Sequence, residues 1–71
     1  MTSRPRSRPM PTIGRRCHEL RVQDEQGAWR IVYRTDDDAV VVVEVFQKKM
    51  GQTPRQVIDK CRARLARYDS S

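Results

Sequence analysis

Apolar and polar positions alternate along Cys17-His18-Glu19-Leu20-Arg21-Val22-Gln23, placing His18, Leu20 and Val22 on one face and Cys17, Glu19 and Arg21 on the other. That period predicts a strand. Asp24-Glu25-Gln26-Gly27 is a polar connection with a glycine available for positive φ, and residues 28–35, rich in Trp, Ile, Val and Tyr, predict a second, antiparallel strand. The acidic triplet Asp36-Asp37-Asp38 predicts a tight, solvated turn, because three adjacent carboxylates there diverge and lack calcium-loop spacing. Residues 39–46 (Ala-Val-Val-Val-Val-Glu-Val-Phe) follow as a third strand, whose β-branched run suits a central position covered on both faces. Alternation assigns Leu20, Val22, Trp29, Ile31 and Tyr33 to the core side, with Arg21 and Arg30 projecting from the other.

The last element carries a helix start signal. Thr53 can cap the first amides, Pro54 fits the first helical position and Gln56 completes a Thr-x-x-Gln capping box. Val57, Ile58, Cys61, Leu65 and Tyr68 form one stripe at helical spacing, which predicts packing on the sheet with Cys61 as a small buried hydrophobe. The expected class is α+β: a three-stranded antiparallel β-meander followed by a C-terminal α-helix.

Residues 1–16 break both periods. They hold Arg4-Pro5, Arg8-Pro9 and Met10-Pro11 steps and little to bury, so they read as a basic leader, extended or disordered when free, ahead of a domain over residues 17–71. At 71 residues there is room for one small domain with a thin core. No window approaches a membrane span or a signal-peptide core, so the expected location is the cytoplasm. Two cysteines without metal-ligand spacing give neither a disulfide scaffold nor a zinc site, and no cofactor or metal is expected.

Net charge is +6, distributed as +5 over residues 1–16, −4 over 17–45 and +5 over 46–71, which favours anionic partners. Candidate nucleic-acid contacts are Arg15 and Arg16 in the leader and Arg55, Arg62, Arg64 and Arg67 beside the helix stripe; solvation of these flanks is the plainer explanation. Lys48 and Lys49 stand between the third strand and the capped helix, where a phosphate could be held.

RNA cleavage through the neighbouring 2′-hydroxyl requires proton removal, charge stabilisation on the phosphoryl oxygens and neutralisation of the leaving oxygen. Arg21, Arg30, Lys48 and Lys49 supply the cations for such a site. The structural alternative is cross-strand pairing of Arg21 or Arg30 with Glu19 or Glu44. His18 is the single histidine, so a two-histidine acid/base arrangement cannot be built, and its place beside Leu20 and Val22 suits a partly buried residue.

Ile13-Gly14, His18-Glu19-Leu20-Arg21, Trp29-Arg30-Ile31-Val32-Tyr33, Phe46-Gln47-Lys48-Lys49 and Thr53-Pro54 occur in this order. Over about residues 9–68 the succession resembles the phage-derived branch of the RelE/HigB-like toxins of bacterial type II toxin–antitoxin systems. The resemblance implies a RelE-like toxin fold and a metal-independent, ribosome-dependent mRNA endoribonuclease that inhibits translation. It implies catalytic roles for Arg30, Lys48, Lys49 and Arg21, with a helix-turn-helix antitoxin, mRNA and the ribosome as partners. Relatives carry one or two helices before the sheet. Here a Pro/Arg-rich leader stands in their place, so the expectation is either a misplaced start or truncated N-terminus, or a sheet face covered by a partner or a second copy. The competing reading is a noncatalytic RNA- or protein-binding remnant of such a toxin.

Overall fold

The computed structural model describes residues 6–47 and 53–70. Four antiparallel strands, β1 (Arg6–Pro9), β2 (Cys17–Asp24), β3 (Gly27–Thr35) and β4 (Val40–Gln47), form one sheet in chain order, followed by the helix α1 (Arg55–Asp69). The α+β class and the C-terminal helix agree with the sequence reading, but the sheet has four strands rather than three. The additional strand comes from the basic leader. Arg6-Ser7-Arg8-Pro9 adds to β2 with Arg8 opposite Glu19 and Pro9 opposite His18. Its proline sits in an edge strand, where a missing N–H is tolerated.

The β2–β3 hairpin turns at Glu25-Gln26. Asp24 Oδ1 accepts from the Gln26 amide at 2.8 Å, and Gly27 takes φ +130°, where an added Cβ would meet Gln47 Nε2 at 2.9 Å. The positive φ is what calls for glycine there, since the exposed Gln47 side chain can move aside. At the β3–β4 turn, the Asp36 amide donates to the Ala39 carbonyl at 2.8 Å.

β4 lies at the sheet edge with one face open, not at the centre. Its pairing with β3 shifts register between Val32 and Tyr33, a bulge that sends Val43 to the helix side along with Glu44 and returns Val40, Val42 and Val45 to the opposite face. The core lies between this helix side and α1, and comprises Met10, Ile13, Cys17, Val32, Val43, Cys61 and Leu65, with Phe46, Val57 and Ile58 packed against it.

The core therefore occupies the face opposite to the one that alternation suggested. Cys17, Glu19, Arg30 and Val32 look toward α1, whereas Leu20, Val22, Trp29, Ile31 and Tyr33 share the face without a helix. The helix stripe packs as expected at Cys61 and Leu65. Tyr68 stays half-exposed beside the Arg34 guanidinium, 5.7 Å from its ring centroid. The capping box does not form. Pro54 is the cap residue, its carbonyl receives the Val57 and Ile58 amides, and the Thr53 hydroxyl turns instead to Glu19.

Candidate functional site

Glu19 is wholly buried at the centre of the helix side, and its carboxylate gathers groups from three other elements. Arg30 on β3 donates Nη1 to Oε1, Arg8 on β1 stands 3.4 Å from the same oxygen, and Thr53 donates its hydroxyl to Oε2. Arg30 is 2% exposed and Arg8 is half-exposed. Removing these ions from water is costly, and the attraction offsets that cost only because both carboxylate oxygens are engaged. Two arginines against one glutamate leave a positive balance at the cluster. Thr53 precedes α1, so the same carboxylate ties the helix entrance to the sheet.

Next to this cluster, register sets Arg6 opposite Arg21 and Arg21 opposite Arg30, three arginines in one row across β1, β2 and β3. Strands lie about 4.8 Å apart, so the row spans roughly 10 Å. Like charges directly opposite one another weaken a sheet, yet of Arg21 and Arg30 only Arg30 receives a carboxylate. Arg21 is exposed. An anionic ligand beside this row would relieve the repulsion, and arginine forks match phosphate oxygens.

The sequence candidates separate into distinct environments. Arg30 and Arg21 are brought side by side, one buried and one exposed; Lys48 and Lys49 lie outside the described residues, directly after Gln47 in the chain. Arg64 is tied to the Val43 carbonyl at 2.9 Å and to Glu44 at 2.7 Å, with Lys60 also 3.4 Å from Glu44. Burial alone would push the Glu44 carboxyl up, but these two cations prevail and hold it below its ordinary range. Arg55 stands 4.0 Å from Asp59 one turn on, and Arg16 is 3.3 Å from Asp37. Among the described residues, the guanidinium groups of Arg15, Arg21, Arg62 and Arg67 join no hydrogen bond or ion pair.

Sequence reasoning passed over Arg6, Arg8 and Thr53. The signal for the first two was the alternation of Arg6-Ser7-Arg8-Pro9, a strand period hidden by prolines. Thr53 was read as a cap, and nothing local reveals that a distant carboxylate competes for its hydroxyl.

Two members of the acidic triplet, Asp36 and Asp37, have structural partners. Asp36 holds Arg34 at 2.8 Å, and Arg34 also grips Asp69 at 2.8 Å, joining the β3–β4 turn to the end of α1. The hydrogen bond from Arg34 keeps the Asp69 carboxyl below its ordinary range. No grouping of three His, Cys, Asp or Glu suited to a metal ion occurs among the described residues. Burial pushes the Cys61 thiol up to about 11 and raises Cys17 as well, so neither is disposed to act as a nucleophile. His18 stacks on Tyr33 at 5.3 Å between ring centroids and shares a hydrogen bond with the Arg16 carbonyl through Nδ1, remote from the Glu19 cluster on the other face. No helix among the described residues is long and apolar enough to cross a membrane.

No curated protein and no solved structure gives a significant match to the chain. A family profile does, over residues 2–66, and so takes in β1 to β4 and most of α1: the chain belongs to the family described as phage derived protein Gp49-like (DUF891).

Proposed function

We propose that this protein is the toxin of a toxin–antitoxin pair and cleaves ribosome-bound mRNA, with the exposed Arg21 of the arginine row, beside the buried Glu19–Arg30 pair, on its phosphate-binding surface. The observation that carries the reading is that row: Arg6, Arg21 and Arg30 occupy adjacent register positions in a chain of net charge +6. The phage-derived family supports it, and the RelE/HigB resemblance supplies the choice of ribosome-bound message and a helix-turn-helix antitoxin.

In the proposed reaction the 2′-oxygen of the nucleotide before the cut attacks phosphorus as its proton passes to water, and the bond to the next nucleotide's 5′-oxygen breaks as that oxygen takes a proton from water. The products are a 2′,3′-cyclic phosphate and a 5′-hydroxyl. Arg21, Lys48 and Lys49 are assigned to the phosphate and to the charge developing in the transition state. Arg30 is assigned a positioning role, since it is buried against Glu19; through Glu19 it holds Arg8 and Thr53 in place. Arg15, Arg16, Arg55, Arg62, Arg64 and Arg67 would add distributed phosphate attraction, with Arg64 least free to do so.

Cleavage of messenger on translating ribosomes tests the assignment. Arg21→Ala, Lys48→Ala and Lys49→Ala should each slow the saturated rate by tenfold or more while weakening ribosome binding less. Unchanged rates in all three would remove the catalytic assignment. Binding to RNA should also weaken steeply across a salt series. One observation favours the noncatalytic alternative: Arg30 cannot reach a phosphate without leaving Glu19. Salt-dependent binding with no cleavage by the parent chain would select that reading.

A further inference from the structure

Among the described residues, Asp24 at the last position of β2 is the one charged residue on the face of the sheet turned away from α1; inside that end the face carries no Lys, Arg, Asp or Glu. Across the strands it presents Ser7 and Pro9; His18, Leu20 and Val22; Trp29, Ile31, Tyr33 and Thr35; and Val40, Val42, Val45 and Gln47. Val40, Val42 and Val45 are 61%, 60% and 51% exposed, and Val22 is 37% exposed. The other charged strand residues are instead on the helix side, where Arg8, Glu19, Arg21, Arg30, Arg34 and Glu44 lie. An apolar, uncharged surface of this extent on so small a domain marks an interaction site.

We infer that the occupant is a second copy of this chain, packed sheet face to sheet face about a two-fold axis. Three observations lead there. An uncharged face is self-complementary, as an isologous interface requires, and offers nothing to a phosphate backbone or an acidic peptide. The +6 charge opposes association only weakly in this geometry, because Arg21 and Arg30 of each copy lie on the helix side, with both sheets between the two sets and salt screening over that distance. The size also fits. Strands of eight or nine residues, with the shorter β1, cover about 500 Å² per copy at normal strand rise and spacing. Two such faces give roughly 1,000 Å², at the lower limit for a specific interface.

The dimer places the valines of β4 against the partner sheet at the usual separation of about 10 Å, completing a second apolar layer that the described residues of one chain do not make. His18, stacked on Tyr33, and the Tyr33 hydroxyl, bonded to Ser7 at 2.7 Å, form the polar border toward β1. The inference concerns association alone and stands whether or not the protein cuts RNA.

Analytical ultracentrifugation of the full chain over a micromolar concentration series, without RNA, tests it. Reversible association from 8.3 kDa to twice that mass is expected. Val42→Lys should raise the dimer dissociation constant at least tenfold. So should Val22→Lys, which lies on an interior strand and so distinguishes face packing from pairing along the β4 edge. Arg62→Glu on α1 should leave it unchanged. If a lysine variant loses its far-ultraviolet circular dichroism spectrum, the near-isosteric Val42→Thr/Val45→Thr pair replaces it, with weakened association again expected. A monomer throughout the series, or a dimer insensitive to both Val22 and Val42, overturns the inference.

Discussion

The two sides of the sheet are built by the same strands and differ in almost every physical respect. Toward α1 the side chains are charged or small and buried: Glu19 and Arg30 lie beside Cys17 and Val32, and the ions are neutralised by one another. Away from α1 they are apolar or aromatic and substantially open to water. Hydrophobicity alone would predict the reverse assignment. The difference teaches that in a thin domain the side with partners becomes the interior, and that a buried charge can be accommodated there when its hydrogen-bonding capacity is filled from several elements. The open side holds apolar surface that no element among the described residues covers.

The strongest way to break this comparison is to remove one member of the buried pair. Glu19→Leu leaves Arg30 charged and without its carboxylate, and such losses cost about 3–5 kcal/mol. A domain of this size has little more stability than that, so the variant should be largely unfolded. Adding Arg30→Met removes the stranded charge and should restore most of the stability. Urea unfolding of parent, single and double variants checks this. A single variant as stable as the parent would show that the pair does not hold the sheet's interior.

A matched pair of truncations sharpens the contrast. Leu65→Ala, from the buried face of α1, should cost about 2–4 kcal/mol through lost contacts and the cavity left behind. Val42→Ala on the open face should change monomer stability by less than about 0.5 kcal/mol, measured at concentrations where the chain is monomeric. Comparable losses at both sites would mean that the open face is covered within one chain.

These faces could not be assigned from alternation because period two fixes which residues travel together, not which set finds a partner. The grouping of Leu20, Val22, Ile31 and Tyr33 against Arg21 and Arg30 was legible; the direction was not. β2, β3, β4 and the α1 stripe were likewise legible in the pattern. β1 was obscured because Pro9 and the dense arginines read as disorder, and its strand character depends on Arg8 meeting Glu19 across the sheet. The bulge in β4 was hidden inside a uniform valine run, where no residue marks the change of side. For the candidate site, Arg21 and Arg30 were correctly placed together. Glu19 was recognised only as one alternative partner, and Thr53 was claimed by a local rule that a tertiary hydrogen bond overrode.

A smaller effect tests the hairpin that sets the two faces in register. Gly27→Ala forces a Cβ into positive-φ backbone and against Gln47, whose amide donates to the Gln26 carbonyl at 3.1 Å. The expected cost is about 1–2 kcal/mol. Thermal melting reads it directly, and an unchanged midpoint would mean that the turn readjusts without strain.

The smallest expected effect is acid sensitivity at the helix side's rim. Asp69 is held down by Arg34, and Glu44 by Arg64 and Lys60 against the opposing influence of its own burial, so both carboxyls fall below their ordinary values of 3.8 and 4.5. A carboxyl that binds its proton less readily in the folded chain stabilises folding above its unfolded value. That contribution fades as pH falls through the ordinary values toward the lower folded ones. The melting midpoint should therefore be level from neutrality to about pH 5 and decline below it. Asp69→Asn and Glu44→Gln should each melt lower than the parent at pH 7, with the gap closing toward pH 3, where the parent's carboxyls are becoming protonated too. Val42 lies opposite Tyr33 on the other face from Glu44, so Val42→Thr should shift the whole curve without changing its shape. Parallel curves for Asp69→Asn, Glu44→Gln and parent across the acid range would contradict the assignment, because they would place the acid-sensitive groups elsewhere.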